Sequence, residues 1–238
     1  MRYAIFGAGR AGENMAAYLR HLGHVIEIIT RAEVEETRAN CCEKVSHADI
    51  VIAAIPDSAL QPWFENWQEV IGERPAVHLS GAVTVSGMSG FHPLYSFPKA
   101  VIDMAIMARI PFACSEQGPE FSELFPGAQN PHFMLRDDDR AYYHALAVLS
   151  GNLSAFLWNK TADPFEKLSG MPAQDIMRVY LQSLVDRFLE APKKSLTGPV
   201  ARRDANTVQK NLDALKSQAE LSQLYQAFLD TAWPDYSH

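Results

Sequence analysis

Apolar residues follow two rhythms along this chain of 238 residues, and the rhythm changes near residue 135. The N-terminal part begins with a short apolar run, Arg2 to Phe6, closed by glycine; "AGENMAAYLRHL" then places apolar residues at helical spacing. Gly23 stands where a helix end favours a left-handed residue, and "HVIEIITR" after it is rich in β-branched residues. Together these predict a strand, a tight turn, a helix and a second strand: a βαβ unit of about thirty residues. "EVEETRAN" is polar, helical or irregular, whereas "ADIVIAAIPD" is a nearly continuous apolar run suited to a strand covered on both faces. A helix over "ALQPWFENWQEVIG", a strand over "PAVHLSG" and a loop-rich "AVTVSGMSGFHPLYSFPKA" follow. Alternating strands and helices predict an α/β fold, a doubly wound parallel sheet, over residues 1–135.

Beyond that point "DDDRAYYHALAVLSGNLSAFLWNK", "PAQDIMRVYLQSLVDRFLEA", "ANTVQKNLDALKSQ" and "ELSQLYQAFLDTAW" all carry apolar residues three and four apart. Residues 136–238 are therefore expected to form an all-helical domain. No internal repeat or low-complexity linker separates the two parts, so they are expected to pack closely.

Composition narrows the partners. With 47% hydrophobic residues the chain can fill one large core or two smaller ones. A net charge of −7, with no basic stripe, argues against nucleic acid and against an anionic membrane surface. The three cysteines, two of them adjacent, suit reduced thiols in the cytoplasm. The absence of a C-x-x-C pair gives a metal no sequence support. No secretory signal and no span of bilayer length is visible.

Candidate chemistry starts at "GAGRAG". Gly7, Ala8, Gly9, Arg10, Ala11 and Gly12 match G-x-G-x-x-G between a predicted strand and a predicted helix, the context in which that motif binds a dinucleotide. Gly7 permits the turn, Gly9 lets a pyrophosphate reach the backbone, and Gly12 lets the helix pack on the strand. The free N–H groups and positive dipole end of the helix would meet the phosphates. The second strand ends in Thr30 and Arg31, and its nearest acid is Glu33. Arg31 suits a 2′-phosphate, which favours NADP over NAD, although NAD is possible; the alternative is an ordinary surface arginine.

The order "GAGRAG", "ADIVIAAIPD", "VHLSGA", "GFHPLYSFP", "YHALAVLSGN" and "LTGPVARRDANTV" resembles the Rossmann-like proteins that carry a C-terminal DUF2520 domain. The resemblance covers almost the whole chain. It implies an oxidoreductase using NADP or F420, although no residue here speaks for F420. Its wider relatives are pyrroline-5-carboxylate reductases, ketopantoate reductases and β-hydroxyacid dehydrogenases. It also implies a helical domain similar to the 6-phosphogluconate dehydrogenase C-terminal region, through which many such proteins form homodimers.

By this resemblance Ile55 and Pro56 pass along the cofactor ribose, and Ser80 and Gly81 form a substrate loop whose hydroxyl and N–H groups could hold a carboxylate or carbonyl oxygen. His78 lies within a strand and reads more readily as a satisfied core histidine. His92, in a loop dense in proline and aromatics, either donates a proton to a C=O or C=N group or caps a crossover segment. His144 and Asn152, two helical turns apart and within about 80° of each other, could act as proton donor and positioner, or merely solvate a helix seam. The dehydrogenase relatives carry a lysine there that this chain lacks. Thr197, Arg202 and Asp204 are candidate substrate contacts by similarity to pyrroline-5-carboxylate reductase; a helix corner with Arg202 paired to Asp204 is the alternative. The reading is an NADP-dependent oxidoreductase that moves a hydride to a small carbonyl or imine substrate in the cleft between the domains. A non-catalytic NADP-binding module is the alternative.

Overall fold

The computed structural model describes residues 1–236. Its sheet has seven strands: β1 (Arg2–Phe6), β2 (Val25–Ile29), β3 (Ile50–Ala53), β4 (Ala76–His78), β5 (Ser89–Pro93), β6 (Phe112–Ser115) and β7 (His132–Leu135), in the order β2-β1-β3-β4-β5-β6-β7. Strands β1 to β5 are parallel; helices make the first three crossovers, and a non-helical segment, residues 79–88, makes the fourth. The β5–β6 pair is antiparallel and β7 runs with β6, so the sheet is mixed at that end rather than wholly parallel.

Residues of β1 alternate between two cores. Tyr3 and Ile5 pack with Met15 and Leu19 of α1 (Arg10–His21), while Ala4 and Phe6 pack with Cys41 and Val45 of α2 (Arg31–Ser46) and Trp67 and Ile71 of α3 (Asp57–Ile71). All four residues of β3 are buried, the consequence of helices on both faces and the reason its sequence is an unbroken apolar run. The polar segment around "EVEETRAN" is helical within α2, kinked at Thr37.

The sheet's far half comes from sequence that reads as loop. It is tied down by α4 (Met104–Met107), α5 (Phe121–Leu124) and a buried hydrogen-bond chain. Tyr18 Oη donates to Asn130 Oδ1 at 2.7 Å, and Asn130 Nδ2 donates to the carbonyls of Met107 and Ile110.

The chain divides into two compact units, Met1–Asn152 and Leu153 onward. The change of texture near residue 135 and the boundary of contacts differ, because α6 (Arg140–Ala147) packs with the sheet through Arg140 and Tyr143. In the second unit α7 (Ser154–Ser169) packs with α8 (Ala173–Glu190), and α9 (Ala205–Leu215) with α10 (Ala219–Ala232). Val200, Val208, Leu212, Leu229 and Trp233 form its small core. Among the described residues no helix is long and apolar enough to cross a membrane.

Candidate functional site

The strand order reverses at β1, with β2 on one side and β3 on the other, and in open α/β sheets ligands lie outside the strand carboxyl ends at such a point. A cleft of about 840 Å³ lies there, bounded by Gly7 to Gly9 after β1, Thr30 and Arg31 after β2, and Ala54 to Pro56 after β3. The three motif glycines have different duties. Gly7 holds φ at 107°, and a Cβ on it would come 2.3 Å from the Ala54 carbonyl oxygen; one on Gly12 would come 2.1 Å from the Gly7 oxygen. Both let the chain pack on itself. A Cβ on Gly9 would meet nothing within 4 Å, so that side of the turn is open to a ligand.

The first helical bond of α1 runs from Glu13 N–H to the Gly9 oxygen, and the amides ahead of it are those a helix leaves unbonded. These features fit a dinucleotide pyrophosphate: an open glycine, free amides and a positive helix end. Thr30 caps α2 by accepting from Glu33 N–H, so its hydroxyl oxygen is partly engaged. Arg31, 93% exposed, pairs with Glu35 at 2.9 Å, an exposed pair of small worth that an incoming phosphate can displace. The back of the cleft is aromatic. Phe6 meets Trp63 and Trp67 edge-on with centroids 4.8 and 4.7 Å away, and the buried Trp63 Nε1 has no partner among the described residues. Neither tryptophan stands out in the sequence, because each sits at ordinary apolar helix spacing.

A second cluster lies at the carboxyl ends of β4 and β5. His92 is on a strand, not in a loop as its sequence suggests, because β4 and β6 supply the pairing that a Gly- and Pro-flanked segment lacks alone. His78 is paired in register with Gly90, so His78, Gly90 and His92 share one sheet face. Helix α6 covers that face. Its Arg140, only 1% exposed, donates to the carbonyls of Ser80 and Gly90 and to Ser115 Oγ, and pairs with Asp137 at 3.3 Å. Gly90 makes the space: a Cβ there would lie 2.3 Å from the guanidinium.

One turn along α6, Tyr143 Oη lies 2.9 Å from His92 Nδ1, and the His144 ring stands edge-on to His92 at 6.0 Å. Gly81 separates the two imidazoles, since a Cβ on it would come within about 3 Å of both. Ser80 Oγ accepts from the Ala82 and Val83 N–H groups, so those amides are already bonded.

Burial drives His92 down to about 4, with help from His144 and Arg140, and leaves it neutral near pH 7. His78 is likewise lowered to about 4 by burial and then by Arg140. It is a core histidine, as expected, but not a satisfied one, because its buried Nδ1 has no partner among the described residues. Tyr143 is pushed up to about 12 by burial.

Other candidates lie apart from this cluster. A π-helical stretch, Val148–Leu153, follows α6 and breaks the α-helical phase between His144 and Asn152. The 80° estimate therefore does not apply, and Asn152 is exposed. In the second unit Asp204 caps α9, accepting from Thr207 N–H and Thr207 Oγ1, and these bonds hold its carboxyl below the usual range. Thr197 Oγ1 accepts from Arg187. Arg202 makes no ion pair with Asp204 or any other acid among the described residues. Arg140 and Tyr143 are absent from the sequence reading. The one signal for them is the unusual Gly90 in a strand just before His92, since a strand glycine often marks a close approach.

Comparison with curated proteins gives no match. Many solved structures resemble this chain, among them three that match nearly the whole of it at low identity. A Bacteroides fragilis protein provisionally described as an NADP oxidoreductase is 20% identical, with 97% of each chain covered and a TM-score of 0.72. The 1-pyrroline-5-carboxylate reductase of Streptococcus pyogenes is 14% identical, with 98% of each chain covered and a TM-score of 0.61. A reductive aminase of Aspergillus terreus, solved with NADPH and ethyl-5-oxohexanoate, is 15% identical over 96% of this chain and 93% of its own, at a TM-score of 0.59. Such likenesses show the fold, that of NAD(P)-dependent oxidoreductases. The profile of DUF2520, a domain of unknown function, matches residues 113–231, half of the sequence, and the chain belongs to that family.

Proposed function

We propose that this protein is an NADP(H)-dependent oxidoreductase that transfers a hydride to a small carbonyl or imine substrate. The observation that carries the reading is the cleft at the strand-order reversal. There an open Gly9, the unbonded amides of α1 and an exposed Arg31 lie together where a dinucleotide phosphate would bind. Bound NADPH would supply the hydride. The chain's own part is to hold the pyrophosphate at Gly7 to Gly12, the ribose along Ile55 and Pro56, and the 2′-phosphate at Arg31 and the start of α2.

Ser80, Gly81, His92 and His144 lie at the same carboxyl edge of the sheet and are the candidate substrate groups. Since His92 is neutral near pH 7, it would act as a neutral N–H donor rather than as an imidazolium. In the helical unit Arg202 is the side chain with free donors for an anionic substrate group, whereas Thr197 and Asp204 are already bonded. That unit also leaves Leu168, Val179 and Leu189 at least 70% exposed beside a core of five residues, which favours a homodimer through it. The three cysteines are free thiols, in keeping with the cytoplasm.

The test is calorimetric titration with NADPH and with NADH, repeated on Arg31→Ala. NADPH is expected to bind at least about tenfold tighter, a difference of about 1.4 kcal/mol, and the substitution to abolish the preference. Binding of neither nucleotide would sink the proposal.

A further inference from the structure

We infer that the reducible group this site accepts is the carbonyl of an aldehyde or ketone, and that His92 and Tyr143 together deliver the proton to its oxygen. This rests on the oxidoreductase reading above and narrows it.

Hydrogen bonding fixes the first part. His92 Nδ1 and Tyr143 Oη are 2.9 Å apart, and His92 Nε2 has no partner among the described residues and is not sealed from solvent. A neutral imidazole carries one N–H. The phenol is the better donor of the two groups and the imidazole nitrogen the better acceptor. Tyr143 O–H therefore donates to Nδ1, and the imidazole proton stays on Nε2. Tyr143 has no catalytic contact of its own in this arrangement until the proton moves.

Charge fixes the second part. From α6, His92 faces Tyr143, His144 and the buried cation Arg140; from β4 it faces His78; from the start of α3 it faces Asp57. Arg140 is shared with Asp137, which is 40% exposed and so is screened by solvent. Burial and these positive neighbours disfavour an imidazolium at His92, and Asp57 only partly offsets them. An iminium ion beside His92 carries the same charge and meets the same penalty. A carbonyl oxygen gains negative charge during reduction and is stabilised by the same surroundings. An iminium takes a hydride without a further proton, and a neutral imine is a poor hydride acceptor until it is protonated to that disfavoured ion, so the Tyr143–His92 pair suits a carbonyl.

The carbonyl carbon accepts a hydride from a reduced nicotinamide, the C=O π bond opens, and its electron pair goes to oxygen. That oxygen takes the proton of His92 Nε2–H while Nδ1 takes the Tyr143 phenol proton. His92 ends neutral in its other tautomer, the negative charge ends on the Tyr143 oxygen, and the product is an alcohol. Water then returns the proton. Even raised to about 12, the phenol is a stronger acid than an alcohol, which is about as weak as water at about 15.7, so the relay runs downhill.

Two-bond 1H–15N correlation spectra of the full chain at pH 7, assigned with His92→Gln, test the relay without any substrate. The expected result is a neutral His92 with its proton on Nε2 in the wild type, and a tautomer mixture in Tyr143→Phe. A proton on Nδ1, a charged ring, or an unchanged tautomer in Tyr143→Phe would overturn the relay. The substrate class is read by NADPH oxidation with a set of small aldehydes and ketones against a set of cyclic imines. Carbonyls are expected to react faster, with Tyr143→Phe lowering kcat at least tenfold and KM changing less than twofold. Faster reaction with the imines, or a Tyr143→Phe effect on KM alone, would overturn the assignment. A wild-type chain that binds no NADPH sinks the oxidoreductase reading itself, whereas NADPH binding with the wrong tautomer sinks only the relay.

Discussion

Gly9 and Gly12 stand three residues apart in one motif and should respond in opposite ways to the same substitution. In Gly12→Ala the new methyl would lie 2.1 Å from a backbone oxygen that cannot move without shifting β1, so the change should act on folding. Urea unfolding is expected to reveal a loss of several kcal/mol, in the range of overpacked cores, about 1–3 kcal/mol or more. Gly9 is the N-cap of α1 with φ −78° and ψ −179°, a conformation open to any residue, and its methyl would meet nothing. Gly9→Ala should cost no more than about 1 kcal/mol, the loss of glycine as an N-cap, yet weaken NADPH binding at least tenfold, as calorimetry would read. A stable Gly9→Ala that binds NADPH normally would remove the pyrophosphate from this turn. At this scale the sequence was informative for the glycines because a fixed spacing carries a fixed geometry. It was uninformative for Arg140, whose partners, the carbonyls of Ser80 and Gly90 and the Ser115 hydroxyl, lie 60, 50 and 25 residues away.

Among the elements, β4 and β5 bring a pH dependence that belongs to the pair. His78 and His92 are both held at about 4 in the folded chain, below the 6.5 of an exposed histidine. Between these values the unfolded chain binds protons that the folded chain refuses, so stability is full above about pH 6.5 and falls as the pH drops toward 4. For His78, which is 1% exposed, the whole effect is on the order of 3 kcal/mol. The urea midpoint should therefore hold steady from pH 8 to 7 and fall between 6.5 and 5, above the range of ordinary carboxylates. In His78→Leu that fall should shrink by roughly half, since one of two depressed groups is gone. A flat midpoint across this window would mean that both rings take up protons in the folded protein as readily as in the unfolded one.

The same strands mark the limit of sequence pattern. The β1 to β3 region was legible because its apolar runs are long and its turns carry glycine. "SGFHP" in β5, "FACS" in β6 and "HFML" in β7 are short, and β5 is flanked by residues that usually break strands. Their extended state comes from neighbours on either side, not from their own propensity.

For the molecule as a whole, the helical unit decides the expected assembly. Val179 and Leu189 of α8 are 77% and 70% exposed, too much apolar surface for so small a core to explain. Sedimentation equilibrium is expected to give twice the 26.5 kDa chain mass, and Val179→Glu with Leu189→Glu to give the single mass with nucleotide binding retained. A monomeric wild type would sink the homodimer proposal.

The division between sequence and tertiary structure follows from the range of the interactions. Local patterns alone determined the glycine turn at Gly7 to Gly12, the βαβ opening and the helical character of the C-terminal part, because each rests on spacings within one or two elements. Only the folded chain decided which side chains meet. It seated α6 on the face of β4 and β5, moved the boundary of compact contacts to Asn152, and aligned Tyr143 with His92. Those contacts join residues about fifty positions apart across a sheet whose register no single segment encodes.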